Sequence, residues 1–202
     1  MNKTRILLKI GTNTLTKETD QISRGKIEDI ARQIATLKEQ YEFIIVSSGA
    51  IAAARQFVKL DHNGPEINVK QALAAIGQPH LMRIFQENFR ELGLLTSQCL
   101  LSYSDFEKEA SKVNICNTIN VLVSNNFIPI INENDTVATD EIQFGDNDKL
   151  AALTAALIKA DLLIIATNTD GIYTKESLEN NIPETIKTVS DLGELQKEVS
   201  GL

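Results

Sequence analysis

Residues 130–150, IINENDTVATDEIQFGDNDKL, carry six carboxylic acids and three asparagines between an apolar lead-in and the helix-like run LAALTAALIKA. Asn132, Asn134 and Asn147 bring neutral donors and acceptors, while Asp135 and Asp148 bring charge. A small zwitterion such as an amino acid needs both kinds. Its ammonium calls for a carboxylate, and its own carboxylates call for amide or backbone N–H groups. The GDND run, residues 145–148, opens the next helix, where acids suit the positive end of the dipole. Asp146 or Asn147 would equally serve there as an ordinary N-cap.

A second chemical group stands at Lys9, next to last in the apolar run RILLKI. Burying an ammonium without a partner is costly. Lys9 therefore reads either as a strand-end lysine snorkelling to solvent or as a charge aimed past the strand. The turn that follows, Gly11-Thr12-Asn13, would offer backbone N–H groups to phosphate oxygens, with Lys9 as the point charge. Asp148 is a candidate ion-pair partner that would hold Lys9 in place. SSGAI, residues 47–51, reads as a second anion cup. Gly49 permits close backbone approach, and the helix after it offers N–H groups at its positive end. Ser48 also fits a plain N-cap.

These groups need a frame. Arg5–Ile10, Phe43–Ser48, LLTSQCLL, Phe127–Ile131 and Leu162–Thr167 read as apolar strands. Ile27, Ile30, Ala31, Ile34 and Leu37 fall at helical spacing behind Ser23, a suitable N-cap. An alanine-rich helix follows Gly49, a long helix is predicted over 68–92 with a break near Gly77 and Pro79, and others over 111–126 and Asp148–Ala160. The tail after Lys175 reads as a loop and a short helix. Strands that alternate with helices and are continuously apolar imply an α/β fold with a mainly parallel sheet covered on both faces. In such sheets ligands sit beyond the carboxyl ends of the strands. The residues there are KIGTN, SSGAI, NENDT and TNTDG, all small, polar or glycine-containing. Ordinary turn chemistry favours the same residue types.

Composition narrows the classes. The chain has 202 residues, a net charge of −7 and a pI near 4.9, which disfavours nucleic acid as a partner. No apolar run is long enough to cross a membrane. Cys99 and Cys116 read as free thiols, and with no leader-like N-terminus the expected location is the cytoplasm. His62 and His80 end no strand and read as solvated surface residues. Neither a G-x-x-x-x-G-K-[ST] loop nor a G-x-G-x-x-G fingerprint is present, and Ser47 and Ser48 lack the G-x-S-x-G elbow.

The segments KIGTNTLT, IIVSSGAIAAAR, KQALAAIGQPHLM, PIINENDTVAT, FGDNDKLAALTA and TDGIYT, in this order over residues 5–174, resemble the glutamate 5-kinase branch of the amino acid kinase family. The resemblance implies an open three-layer αβα sandwich. It implies transfer of the ATP γ-phosphate to the γ-carboxylate of L-glutamate, giving glutamyl 5-phosphate, the first intermediate of proline biosynthesis. By the same resemblance, Lys9 stabilises the transferring phosphoryl group and Asp148 organises it. Ser48, Gly49, Ala50, Asn134, Asp135 and Asn147 are the expected glutamate site. Lys9, Gly11, Thr167, Asn168 and Gly171 are expected on the nucleotide side. Mg²⁺ would come with ATP, held by phosphate oxygens rather than by a protein metal site. L-Proline is the expected feedback inhibitor, and a tetramer or dimer the expected assembly. The glutamate γ-carboxylate, with a reference pKa near ~4.3, is already ionised at neutral pH. No general base is needed, and catalysis would rest on positioning and charge neutralisation.

Two departures qualify the resemblance. Thr167-Asn168 stands where the family usually has Thr-Asp or Ser-Asp. The family's glycine-rich G-T-G-G-M-x-T-K segment does not occur before Leu202, so residues 1–202 read as a single kinase domain lacking that nucleotide-binding segment. By the same reading, residues 1–202 are not expected to include the RNA-modifying-enzyme-like domain of some members. Two alternatives stay open: a non-catalytic module sensing glutamate or proline, and a kinase for a related carboxylate or carbamate.

Overall fold

The computed structural model describes residues 3–16, 21–61, 65–137, 147–174, 184–191 and 193. By internal packing the chain divides into two compact units, Met1–Ala166 and Thr167–Leu202.

The first unit is built on five parallel strands: β1 (Thr4–Ile10), β2 (Tyr41–Ser47), β3 (Leu95–Leu101), β4 (Phe127–Glu133) and β5 (Leu162–Ala166). Their order across the sheet is β3-β4-β2-β1-β5. The chain moves from β1 to β2 to β3 in one direction, through α1 (Thr12–Leu15), α2 (Arg24–Leu37), α3 (Ala50–Arg55) and α4 (Glu66–Glu91). It then reverses, reaching β4 through a 3₁₀ turn (Tyr103–Phe106) and α5 (Glu109–Ser124), and β5 through α6 (Asp148–Leu157). Crossovers of one hand put the two directions on opposite faces.

The side chains sort accordingly. Ile6 and Ile10 of β1, Phe43 and Ile45 of β2, and Ile128 and Ile130 of β4 form one core with α2, α3 and α4. Leu7, Ile44, Val46 and Ile131 point the other way and pack with α5 and α6. Strand periodicity of two, with both faces apolar, thus yields the three-layer αβα sandwich that the apolar strands imply.

Local chemistry explains two details. Ser23 caps α2, its Oγ accepting the Lys26 N–H at 3.4 Å. The helix predicted over 68–92 with a break is instead continuous from Glu66 to Glu91. Pro79 removes one helical hydrogen bond, but Pro79 and Ala75 both lie on the exposed face, where water can satisfy the freed carbonyl. Gly77 is there for close packing: a Cβ at that position would sit 1.8 Å from the Ala50 carbonyl oxygen. The helix expected over 111–126 runs from Glu109 to Ser124, and Asn126 follows it with φ 61°.

The second unit contains a two-stranded antiparallel pair, β6 (Ile172–Tyr173) with β7 (Thr185–Ile186). Gly171 enters β6 at φ 143°, with Thr185 Cγ2 3.5 Å from where a Cβ would be. The short helix expected in the tail falls largely outside the described residues, which include the strand β7 at Thr185–Ile186.

Candidate functional site

Lys9 is next to last in β1, which has a neighbour on each side, and it is flanked in register by Val46 of β2 and Ile165 of β5. It is 5% exposed. Its Nζ lies 2.5 Å from Asp148 Oδ1, at the first residue of α6. The expected pairing is present, and it resolves the cost of burying the ammonium. Gly11 has an ordinary extended backbone, φ −73°, so its value is not conformational. A Cβ there would sit 3.3 Å from Lys9 Nζ and 4.0 Å from the Ala166 carbonyl. Glycine keeps space open beside the ammonium. Thr14 Oγ donates to that same Ala166 carbonyl at 3.1 Å, tying the turn to the end of β5.

Ser48 does not cap α3. The N-cap is Gly49, in the left-handed region at φ 109°, with Ile22 Cδ1 3.1 Å from a notional Cβ. A side chain at Gly49 would be strained in backbone and crowded in space. Ser48 instead bridges strand ends: its N–H donates to the Ile10 carbonyl at 3.1 Å, and its Oγ accepts from Asn147 Nδ2 at 3.1 Å. Ala50 is buried, with its carbonyl against Gly77.

Asn147 occupies the N-cap position of α6, yet its side chain makes no capping bond. Its amide reaches back across the sheet instead. The two hydrogens of Nδ2 are shared among three acceptors, the Ser47 carbonyl at 3.2 Å, Ser48 Oγ, and Asn132 Oδ1 at 2.8 Å. The cap reading of Asn147 is therefore replaced by a tether joining α6 to β2 and β4. Gly145 and Asp146 lie outside the described residues.

Asn134 and Asp135 follow β4, half-buried, with the Asn134 N–H donating to the Leu101 carbonyl at 2.7 Å. They line a pocket of about 200 Å³ together with Gln78, Gln98, Glu133 and Thr136. Burial, and secondarily the neighbouring Glu133, raise the Asp135 carboxyl from 3.8 to about 6. A carboxylate in that state gains from any cation brought next to it. A separate cavity of about 410 Å³ opens near the amino ends of the strands, lined by Lys3, Lys38, Tyr41 and Gly93 among others. That is the end at which α/β sheets do not usually bind substrate.

Thr167, Asn168 and Gly171 belong to the second unit, where Thr167 Oγ accepts the Thr169 N–H at 3.3 Å. His62 lies outside the described residues. His80 is not a fully solvated residue: it is half-buried, with its ring 5.0 Å from that of Phe57 and Nδ1 3.0 Å from Arg83. Burial first, then Arg83 and Arg24, lower its pKa. Cys99 and Cys116 are free thiols. Among the described residues no three His, Cys, Asp or Glu side chains converge as a metal cage, and no helix is long and apolar enough to cross a membrane.

Sequence reasoning underused two buried amides. Asn132 is 2% exposed and Gln78 8% exposed, and they bond to each other at 2.8 Å. A signal was available for Gln78. It falls with Ala74, Leu81 and Phe85 on the buried stripe of α4, where a polar residue needs a partner.

Comparison with known proteins accords with this geometry. A model of the amino acid kinase family matches residues 4–201. A glutamate 5-kinase of Caldanaerobacter subterraneus subsp. tengcongensis is 41% identical over 98% of this chain and 53% of its own length. Another, of Clostridium acetobutylicum, is 41% identical over 99% of this chain and 75% of its own length. The chain thus spans about half the length of several of the curated relatives it matches. In fold, a solved isopentenyl phosphate kinase superposes with a TM-score of 0.63 over 95% of this chain and 82% of that one, at 15% identity. With the sheet, the strand-end chemistry and a match spanning residues 4–201 in agreement, the chain belongs to the amino acid kinase family.

Proposed function

We propose that this chain carries the acceptor side, and part of the nucleotide side, of a kinase that phosphorylates the γ-carboxylate of L-glutamate with ATP. The product would be glutamyl 5-phosphate, the first step of proline biosynthesis. The observation that carries the reading is the buried Lys9–Asp148 pair beside the Asn147–Ser48 tether at the carboxyl ends of β1 and β2. The glutamate 5-kinases among its relatives support the choice of acceptor.

The chemistry follows from charge. Both reactants are anions, so the barrier is largely electrostatic, and a preorganised ammonium at the reacting oxygens is the most effective help. Asp148 fixes where Lys9 Nζ sits. Gly11 leaves room for oxygen atoms beside it. Asp135 is suited to the α-ammonium of the acceptor, and Ser48 and Asn147 to its polar end. Mg²⁺ would neutralise phosphate charge and be held mainly by phosphate oxygens, with a carboxylate such as Asp148 the right type of donor nearby. Thr167, Asn168 and Gly171 would contribute to the nucleotide side. L-Proline would compete for the acceptor pocket, and the working form would be a cytoplasmic homo-oligomer.

The test is direct. The protein incubated with L-glutamate, Mg-ATP and hydroxylamine should yield glutamyl hydroxamate, because hydroxylamine traps acyl phosphates. Calorimetry on the same sample should show L-glutamate binding. Binding without hydroxamate, when repeated on a chain extended to the length of its relatives, would favour the non-catalytic sensing module and refute the kinase reading. Hydroxamate from another carboxylate, with none from glutamate, would favour the related kinase instead.

A further inference from the structure

The pocket of about 200 Å³ beside α4 is lined by two kinds of polar group. Strand β4 and the residues after it contribute the carboxyl groups of Glu133 and Asp135, while α4 and β3 contribute the amides of Gln78 and Gln98. An amide can present either an oxygen or an NH₂ group, and here a series of hydrogen bonds decides which. The Glu133 N–H can only donate, and it gives to Asn132 Oδ1 at 2.9 Å. Asn132 Nδ2 then donates to Gln78 Oε1 at 2.8 Å, and Gln78 Nε2 to Gln98 Oε1 at 3.0 Å. Gln98 closes the series with its oxygen taken. Its Nε2 donates to no other described residue. Gln98 is exposed on the edge strand β3, yet the buried Gln78 holds its amide in one orientation. What Gln98 has left to offer an occupant of the pocket is a pair of N–H donors.

We propose that Gln98 is a specificity-determining residue of the acceptor pocket, its NH₂ group donating to the α-carboxylate of L-glutamate. The inference rests on the L-glutamate reading above, in which Asp135 takes the α-ammonium. The α-carboxylate is attached to the same carbon as that ammonium, so it lies beside Asp135, in the pocket that Gln98 lines. The reacting γ-carboxylate belongs at the other end of the acceptor, with Lys9 on β1, two strands from β4. A carboxylate on the β4 side and an NH₂ donor on the β3 side match the two charges that an amino acid carries at its α-carbon. Gln98 thus adds to the acceptor site a residue from β3, a strand that supplies none of the groups at the other strand ends.

The experiment compares L-glutamate with 4-aminobutyrate, which keeps the ammonium and the reacting carboxylate and lacks the α-carboxylate. Affinities for both are measured by calorimetry on the wild type, Gln98→Met and Gln98→Glu, with a thermal melt of each. Methionine is of similar size and has no donor. The preference for L-glutamate over 4-aminobutyrate should therefore fall by about tenfold, the effect of one lost hydrogen bond to a charged group, with 4-aminobutyrate affinity little changed. Gln98→Glu keeps an oxygen for Gln78 Nε2 but sets a carboxylate against the α-carboxylate, so the preference should fall at least as far. A merely loosened pocket would weaken both ligands alike and leave their ratio as it was. A preference retained in either variant would overturn the inference, as would a wild type that binds the two compounds equally. If Gln98→Met fails to fold, Gln98→Glu decides alone by the same criterion. A wild type that binds neither compound would sink the L-glutamate reading itself, and the role of Gln98 with it.

Discussion

The middle of the sheet's carboxyl edge and its β5 end are built differently. At β2 and β4 the polar side chains are buried and bonded to one another, with Ser48, Asn132 and Asn147 at 4%, 2% and 0% exposure. At β5 the apolar side chains face outward, with Leu162, Ile164 and Ile165 at 48%, 41% and 41%. Buried polar groups stay ordered only if each finds its partner. The side chains in the middle therefore hold one another in place, and Ser48, Asn132 and Asn147 all lie within Met1–Ala166. Strand β5 has β1 as its ladder partner and, among the described residues, no second neighbour in the sheet order. Lys9 sits on β1, between these two environments.

The largest expected effect lies in the well-packed half. Ile44 is fully buried between β2 and the α5–α6 layer. Ile44→Ala should cost about 3 kcal/mol, read as a shift in the urea midpoint at unchanged slope. A cost below about 1 kcal/mol would mean that this side of the sheet is looser than its burial indicates.

Lys9→Ala removes the charge at the junction and leaves Asp148 without its ammonium. Turnover of glutamate should fall by two to three orders of magnitude, about 3 kcal/mol of barrier, with the glutamate KM moving only a few-fold. Turnover near that of the wild type would remove Lys9 from the reaction.

That contrast was only half legible in the sequence. The apolar strands and the small polar residues after them located the sheet and the carboxyl edge where Lys9, Ser48, Asn132 and Asn147 gather. The Lys9–Asp148 pairing also followed, because a buried lysine demands a carboxylate and the acidic run supplies one. What could not be read was which amide bonds to which. Asn147 looks like a helix cap because local spacing says so, whereas its bonds to Ser47, Ser48 and Asn132 span 15 to 100 residues of chain. The break predicted in α4 failed for a related reason. Gly77 and Pro79 suggest a disrupted helix locally, but Gly77 answers to the Ala50 carbonyl on another helix. Asp135 was read as a binding residue by type, without its raised pKa, which depends on burial and on Glu133.

Asp135 provides a smaller effect with a definite sign. Its carboxyl pKa rises from 3.8 to about 6 on folding, so the folded chain holds that proton more tightly than the unfolded one. This contribution favours folding fully below the unfolded value and is lost as pH rises through about 6. A shift of that size is worth at most ~3 kcal/mol, and partial exposure reduces it to roughly 1–2 kcal/mol. Asp135→Asn should therefore stabilise the protein at pH 8 and have little effect near pH 4, as measured by denaturant titration at both. Glutamate binding should respond oppositely, weakening in Asp135→Asn and, in the wild type, as pH falls below about 6. A variant that is no more stable at pH 8 would show that the carboxylate is already satisfied without ligand.

Ile164→Ala should have the least effect. Ile164 pairs in register with Leu8 of β1, but 41% of it is exposed, so little apolar area is lost on truncation. The cost should be about 1 kcal/mol or less, against about 3 for Ile44→Ala, although both remove the same atoms from a strand of the same sheet. Equal costs would break the comparison, because they would require something in solution to cover β5. Repeating both titrations over a hundredfold range of protein concentration then separates the sources. Cover by a second copy makes the Ile164 cost depend on concentration, and cover by the same chain does not. The comparison thus becomes a measurement of how the β5 edge is protected, which an exposed apolar strand edge requires if the protein is not to aggregate.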